Sequence, residues 1–576
     1  MTRREHGRAK GWGRQGWRHL RAHVARGWTV LITRGPSKIQ FWLIALMIGI
    51  GAGLAALAFR LGIGALQRRV YGTDDLSMAS VAGTLPWWWV LLVPIMGGFA
   101  VGQILDRFTP DARARAVADV IEGAALEGGR VERREGWASA AASIITLGTG
   151  GSSGREGPVV HLAAVISTYV AERIKASPMT GRDLLGCAVA GAVAASFNAP
   201  IAGALFAHEV VLRHFSQQAF APIAISAVAG TVINRLRFGG VTEFELGQVG
   251  ELGFYVELPA FMLLGLVCAL VAAAMMAAIF RAEAVGDRIM AKTGWPRWLR
   301  PTIAGAMLGL IAIPFPQIIG VGYETTSDAL TGGLGLGTAL IVALAKALAV
   351  AITFGGRMGG GVFSPALVMG ALTGLVFGII ATRLMPGLSG SHTIYALAGM
   401  GAVGAAVLGA PISTAMIIFE MTGDWQTGIA VMTTISLSSA LASRLVHRSF
   451  FLTQIRRRGI HIAEGPQVWL PQKMRITAVM RPAAAKNAPS PDLLRNLVAA
   501  GQWIEDGATL DRALRRFDRD GDAFLAVIRP APAQKGADPG AGGTAPEPEI
   551  IGALYHVDAL RALNTALSEA AAEEHS

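Results

Sequence analysis

Long apolar runs separated by short polar breaks fill the chain from residue 39 to residue 446. "IQFWLIALMIGIGAGLAALAF" (39–59), "LPWWWVLLVPIMGGFAVGQIL" (85–105), "FMLLGLVCALVAAAMMAAIF" (261–280) and "ALIVALAKALAVAITF" (339–354) are examples. Runs of about 20 apolar residues cross hydrocarbon as helices. Other stretches, such as 185–211 and 393–419, are interrupted by Gly and Pro. Broken segments survive at membrane depth only where they are buried in protein or line a cavity. The pattern therefore predicts an all-α polytopic membrane domain over 39–446 with several partial-length helices. Past residue 446 the pattern changes. "VHRSFFLTQIRRRGIHI" (446–462) is a basic exit, and 447–474 reads as a linker. "ITAVMRP" (476–482), "WIEDGATLDRALRRFDRDGDAFLAVI" (503–528) and "EIIGALYHVDALRALNTAL" (549–567) alternate strand-like and amphipathic stretches, which predicts a small α/β domain over 475–576. A Pro/Gly/Ala-rich loop, "RPAPAQKGADPGAGGTAPEPE", lies within it and has no packing capacity.

Composition sharpens this picture. Of 576 residues 52% are hydrophobic and 16% charged, against about a quarter charged in a soluble protein; mean hydropathy is +0.46. Residues 1–38 hold ten Lys or Arg and one acid, Glu5, with no apolar segment and cleavage site of signal-peptide type after them. Positive charge at both ends of the apolar region predicts cytoplasmic N- and C-termini and a multi-pass protein of the cell inner membrane. The basic tail reads as orientation and headgroup contact, and not as nucleic-acid binding. Cys187 and Cys268 sit in apolar runs, so neither a disulfide framework nor a thiolate metal site is expected. No HExxH, GxSxG, P-loop or Cys/His cluster occurs, so no enzyme and no cofactor are expected.

An internal repeat locates the candidate chemistry. "FNAPIAGALFAHE" (197–209) aligns without gaps on "LGAPISTAMIIFE" (408–420), and upstream "GREGP" (154–158) echoes "GVFSP" (361–365). Two homologous halves with Gly/Pro-interrupted segments at matching places are the mark of a repeat-built transporter, and the interrupted pair marks its binding site. Glycines allow close backbone approach, prolines start helices, and each new helix points free N–H groups and a positive dipole end at what precedes it. Two such starts meeting at mid-membrane would make a cavity for a small, weakly hydrated anion and would reject cations. Glu156 fits as a tethered anion that occupies those donors when ionised and leaves, or takes up a proton, when an external anion enters. The plainer reading is that Glu156 pairs with Arg155 at a loop mouth.

"GSSGREGPVVHLA", "SFNAPIAGALFAHE", "GGGVFSPALVMGA" and "GMGAVGAAVLGAPISTAMIIFEMTGD" together resemble the CLC family of chloride channels and proton-coupled chloride transporters, over roughly residues 40–460. The resemblance implies a homodimer whose subunits each hold an anion pathway between two inverted halves of tilted, partial helices. It implies that Glu156 is the gate and proton acceptor, and that anions rest on backbone around Gly154, Arg155 and Gly157 and around Gly361, Val362, Phe363 and Ser364. Three departures stand out. The family's pore serine is matched by Arg115 in "ARAVADVIEG" (114–123), where the guanidinium either donates to the anion or is a solvated charge at a helix start shifted by a residue. The pore tyrosine is matched by Phe451. The inner proton-relay glutamate is replaced by Val210, which carries no proton; neighbouring Glu209 matches a structural position. His208 is expected to pack and not to titrate. Val210 leans toward channel-like conduction, although exchange stays open. Fluoride or nitrate are alternative cargoes. The C-terminal stretch resembles one copy of a cystathionine-β-synthase (CBS) motif, which implies a regulatory ligand, a nucleotide being the candidate, acting on the anion transporter.

Overall fold

The computed structural model describes residues 36–240, 244, 254–386, 391–460, 470–471, 474–485, 488–529 and 549–575. The basic tail before residue 36, and most of the Pro/Gly/Ala-rich loop, lie outside the described residues. The chain divides into two compact units, Met1–Ile460 and His461–Ser576.

The first unit is helical. Its first half runs α1 (Lys38–Val70), α2 (Trp87–Phe108), α3 (Val117–Leu126), α4 (Arg133–Gly148), α5 (Glu156–Arg173), α6 (Pro178–Phe197), α7 (Pro200–Phe206) and α8 (Gln217–Phe238). A π-helical turn, Ala207–Leu212, extends α7. Next come α9 (Phe254–Thr293), α10 (Leu299–Ala312), α11 (Tyr323–Thr331), α12 (Leu336–Gly355), α13 (Phe363–Leu384), α14 (His392–Leu408), α15 (Pro411–Thr422), α16 (Trp425–Val446) and α17 (Phe450–Arg457). Seven helices among the described residues are long and apolar enough to cross a bilayer. Breaks fall where the sequence placed them. Asn198 and Gly409 turn left-handed, with φ of 57° and 68°, and end α6 and α14. Two residues later Pro200 and Pro411 start the next helices, as suits a residue with preset φ and no N–H to lose.

The two halves grip each other through reciprocal contacts. Gly154 N donates to Gly361 O and Gly361 N to Gly154 O, both at 2.7 Å. Ser152 N donates to Thr353 Oγ1 and Gly359 N to Thr146 Oγ1, both at 3.1 Å. A Cβ on Gly98 would strike the Pro301 carbonyl, and one on Gly305 the Pro94 carbonyl, so α2 and α10 touch backbone to backbone. A single sequence offset relates every member of these pairs to its counterpart. Exchange of equivalent residues is what an internal two-fold axis produces. The repeat glutamates complete the set: Glu209 accepts from Ile412 N (3.0 Å) and Ser413 N (2.8 Å), and Glu420 from Ile201 N (3.0 Å) and Ala202 N (2.8 Å). Each carboxylate caps the first turn of the other half's helix, where free N–H groups and the dipole favour an anion.

The second unit holds a sheet ordered β1 (Arg481–Pro482), β4 (Glu549–Tyr555), β3 (Phe524–Arg529), β2 (Trp503–Glu505). The β2/β3 pair is parallel and the β3/β4 pair antiparallel. Helices α19 (Leu510–Asp520) and α20 (His556–His575) supply Leu510, Ala513, Phe517 and Ala559 to one core, and α18 (Pro491–Ala499) supplies Leu494 to another. One boundary differs from the sequence reading. Helix α17, assigned there to the linker, belongs to the first unit, because its apolar face buries Phe450, Phe451 and Ile455.

Candidate functional site

Glu156 is the first residue of α5, and Phe363 and Ser364 open α13. Pro158 and Pro365 fall in the first turns of these helices, so neither removes an intrahelical hydrogen bond. The Gly154–Gly361 pairing brings both starts together across the internal axis. Glu156, 1% exposed, turns toward the other half: its Oε1 accepts from Ser364 Oγ at 2.6 Å. Its Oε2 is buried without a hydrogen-bond partner among the described residues. Gly154 makes room for this, since a Cβ there would lie 2.6 Å from Glu156 Oε2 and 3.0 Å from Ser364 N. Gly157 likewise sits against Gly361 Cα. Arg155 goes elsewhere: it donates to the Ser196 carbonyl at 3.2 Å and lies over the Tyr323 ring, 5.0 Å from its centroid. What Arg155 offers the junction is backbone.

A cavity of about 520 Å³ opens from this junction. Gly157, Gly361, Val362 and Phe363 line its head, Ala116 and Val117 bring the start of α3 to it, and Phe354, Phe450 and Phe451 form an aromatic wall. Three helix N-termini thus converge on one space. Its mouth carries Asp111, Arg113, Glu283, Asp287, Arg357, Arg457 and Arg458. Burial alone would push the Asp111 carboxyl up, but Arg113 and Arg115 together outweigh it and hold the group below the usual carboxylate range. Arg458 gives Nη1 to Asp119 (2.8 Å), while its Nε and Nη2 are buried without a partner among the described residues.

The expectation for Arg115 is corrected. It is not a lining residue. Its guanidinium meets Glu135 at 2.5 Å and Asp111, at the cavity mouth, at 3.0 Å, so its charge is neutralised by carboxylates and not offered to the cavity. The α3 start presents Ala116 instead, one residue further along, so no hydroxyl and no guanidinium projects from that position. Phe451 is a lining residue and 4% exposed. Val210 is buried in the π-helical turn, and His208 beside it bonds the His214 carbonyl at 3.0 Å and stacks on Phe215. Two features escaped the sequence reading. One is Ala116, hidden by the one-residue shift. The other is Glu283, a carboxylate in the apolar run "MMAAIFRAEAVGD" (275–287), where an ionisable residue breaking a membrane segment was the available signal.

Comparison with known proteins agrees with this arrangement. The sequence profile of the family described as voltage gated chloride channel matches residues 97–443. A ClcB-like chloride channel protein of Ralstonia nicotianae is 32% identical over 393 residues, covering 68% of this chain and 90% of that protein. The H(+)/Cl(-) exchange transporter ClcA of Yersinia pseudotuberculosis is 26% identical over 474 residues, covering 80% and 94%. A slow cyanobacterial Cl−/H+ antiporter shares the fold, with a TM-score of 0.65 at 19% identity over 73% of this chain and 97% of that one.

Proposed function

The chain belongs to the voltage gated chloride channel family, and from that premise we propose that it carries chloride, or a related monovalent anion, along a pathway gated by Glu156. The observation that carries this reading is the Glu156 carboxylate bonded to Ser364 at the junction of two helix starts, whose neighbours Gly157, Gly361, Val362 and Phe363 line an open cavity. An ionised carboxylate there mimics the cargo. An arriving anion competes for the same donors, and Glu156 must yield or take up a proton. The backbone around Gly154, Arg155, Gly157, Gly361, Val362, Phe363 and Ser364 supplies donors, and Phe451 walls the cavity. Protons are the second partner in the exchange version. Val210 favours channel-like conduction, because no titratable group stands there.

The full reading is a homodimer in the inner membrane with both termini cytoplasmic, which makes the cavity the inner vestibule. The strand–helix–strand–strand–helix order of β2, α19, β3, β4 and α20 supports a CBS-like regulatory domain with a nucleotide as the candidate ligand. Fluoride or nitrate as the cargo is tested in the same experiment. Purified protein in liposomes is loaded with chloride, nitrate or fluoride, and anion efflux and internal pH are recorded together. Chloride efflux is expected, and Glu156→Ala should keep it while losing any proton movement and any pH dependence. A Glu156→Ala protein that matches the wild type in both overturns the gate assignment.

A further inference from the structure

Three carboxylates face the cavity: Asp111, Asp287 and Glu283. Two are neutralised. Asp111 meets Arg113 at 3.2 Å and Arg115 at 3.0 Å, and Asp287 meets Arg300 at 2.5 Å and Arg357 at 2.8 Å. Glu283, on α9 and half-buried, is different, because no donor among the described residues reaches its carboxylate. The guanidiniums around it are engaged elsewhere. Arg300 gives Nη2 to the Glu283 carbonyl, not the side chain (3.0 Å), Nη1 to Asp287 and Nε to the Gly355 carbonyl (2.7 Å). Arg457 gives Nη1 to the Phe280 carbonyl at 3.0 Å. Arg113 gives Nη2 to Asp119 at 2.9 Å.

A fixed, unpaired negative charge in the mouth of an anion pathway works against the pathway, since it repels the ion that the helix starts attract. A group in that place that can discard its charge by binding a proton does not. We propose that Glu283 is the proton-exchanging carboxylate of the vestibule, loading protons that travel through the cavity water to Glu156; this rests on the exchange version of the anion-transport reading above, with Glu283 doing what Val210 does not. The step balances simply. The Glu283 carboxylate takes a proton from bulk water and becomes a neutral acid. It releases that proton to the cavity water, which delivers it to the Glu156 carboxylate as that group leaves its donors to an anion, and Glu283 returns to its charged form. Neither Val210 nor His208 lines the cavity, and its other two carboxylates are held ionised by arginines, so Glu283 alone of the three is free to cycle.

The test is chloride and proton flux recorded together in liposomes under an imposed chloride gradient, for wild type, Glu283→Gln, Glu283→Asp and Glu156→Gln. In the wild type chloride should drive protons. Glu283→Gln should cut the proton flux at least about tenfold, since an amide has no exchangeable acid proton at neutral pH, while chloride continues to move, and Glu283→Asp should restore part of the coupling. Unchanged proton-to-chloride coupling in Glu283→Gln overturns the proposal, as does a wild type that moves chloride without protons; in that case anion transport itself still stands. A wild type that moves no anion overturns the transport reading instead.

Discussion

Replacing Ser364 by alanine removes one donor from Glu156 and leaves the rest of the junction intact. A hydrogen bond to a charged group is worth about 1.5–3 kcal/mol, so the seated state of the gate should lose roughly tenfold to a hundredfold in population. The expected outcome is faster chloride efflux at neutral pH in Ser364→Ala liposomes, approaching Glu156→Gln. Gly154→Ala tests the same junction from the other side. Its Cβ would arrive 2.6 Å from the flexible end of Glu156 but 3.0 Å from the Ser364 backbone; the carboxylate can move and the backbone cannot. A weakened gate with some loss of thermal stability is expected. Arg115 lies outside the cavity among Asp111, Asp119 and Glu135. Arg115→Ser should therefore lower the unfolding temperature in detergent while leaving relative chloride, nitrate and fluoride efflux unchanged. The sequence showed Glu156 plainly, because a carboxylate between glycines ahead of a membrane helix has few structural uses. It left Arg115 open between a donor to the anion and a charge at a shifted helix start, because a one-residue shift turns a different side chain inward and periodicity does not resolve one residue.

At the scale of helices, the halves are joined by carboxylates set on helix ends and by glycines that let backbones touch. Glu420→Ala leaves Ile201 N and Ala202 N without acceptors, and Glu209→Ala does the same to Ile412 N and Ser413 N. Each is expected to cost about 1–3 kcal/mol, read as a lower midpoint of thermal unfolding, with glutamine in either place losing less. The repeat in "FNAPIAGALFAHE" and "LGAPISTAMIIFE" had already singled out both glutamates. Their purpose was invisible there, since each serves the opposite copy and not its own. A second repeat went unread: Pro94, Gly98 and Gly102 in α2 recur as Pro301, Gly305 and Gly309 in α10, at the same offset as GREGP and GVFSP. Helices in lipid approach closely through small residues, and each of these glycines faces a backbone carbonyl of the other helix or, for Gly102, of its N-cap Trp298. Three shared residues scattered among dissimilar apolar neighbours are hard to notice until packing shows them to be a contact.

At the scale of the whole chain, the helical unit closes on itself through α17, whose Phe450 and Phe451 wall the cavity. Truncation after Ile460 should therefore retain anion efflux in liposomes, whereas truncation before Phe450 should abolish it. Retention in both would show that α17 does not complete the pathway. The sequence assigned α17 to a linker because eight residues ending in two arginines, with a third directly after them, look like an exit from the membrane. Its amphipathic character, with Phe450, Phe451 and Ile455 buried and Arg456 and Arg457 exposed, shows a short helix lying against the unit.

Hydropathy runs, helix-starting prolines and the two-part repeat are local properties of the chain, and they alone determined that this is a membrane protein of two related halves with a carboxylate at the interrupted segment. Which side chains share a space is not local. That Glu156 reaches Ser364, that Arg115 faces carboxylates while Ala116 faces the cavity, and that Glu283 stands there without a partner among the described residues were decided only when the halves met about their common axis. The physical reason is that charge and hydrogen-bond partners act over a few ångströms through space, whereas Glu156 and Ser364 stand 208 residues apart along the chain and which way Arg115 faces depends on where a helix starts.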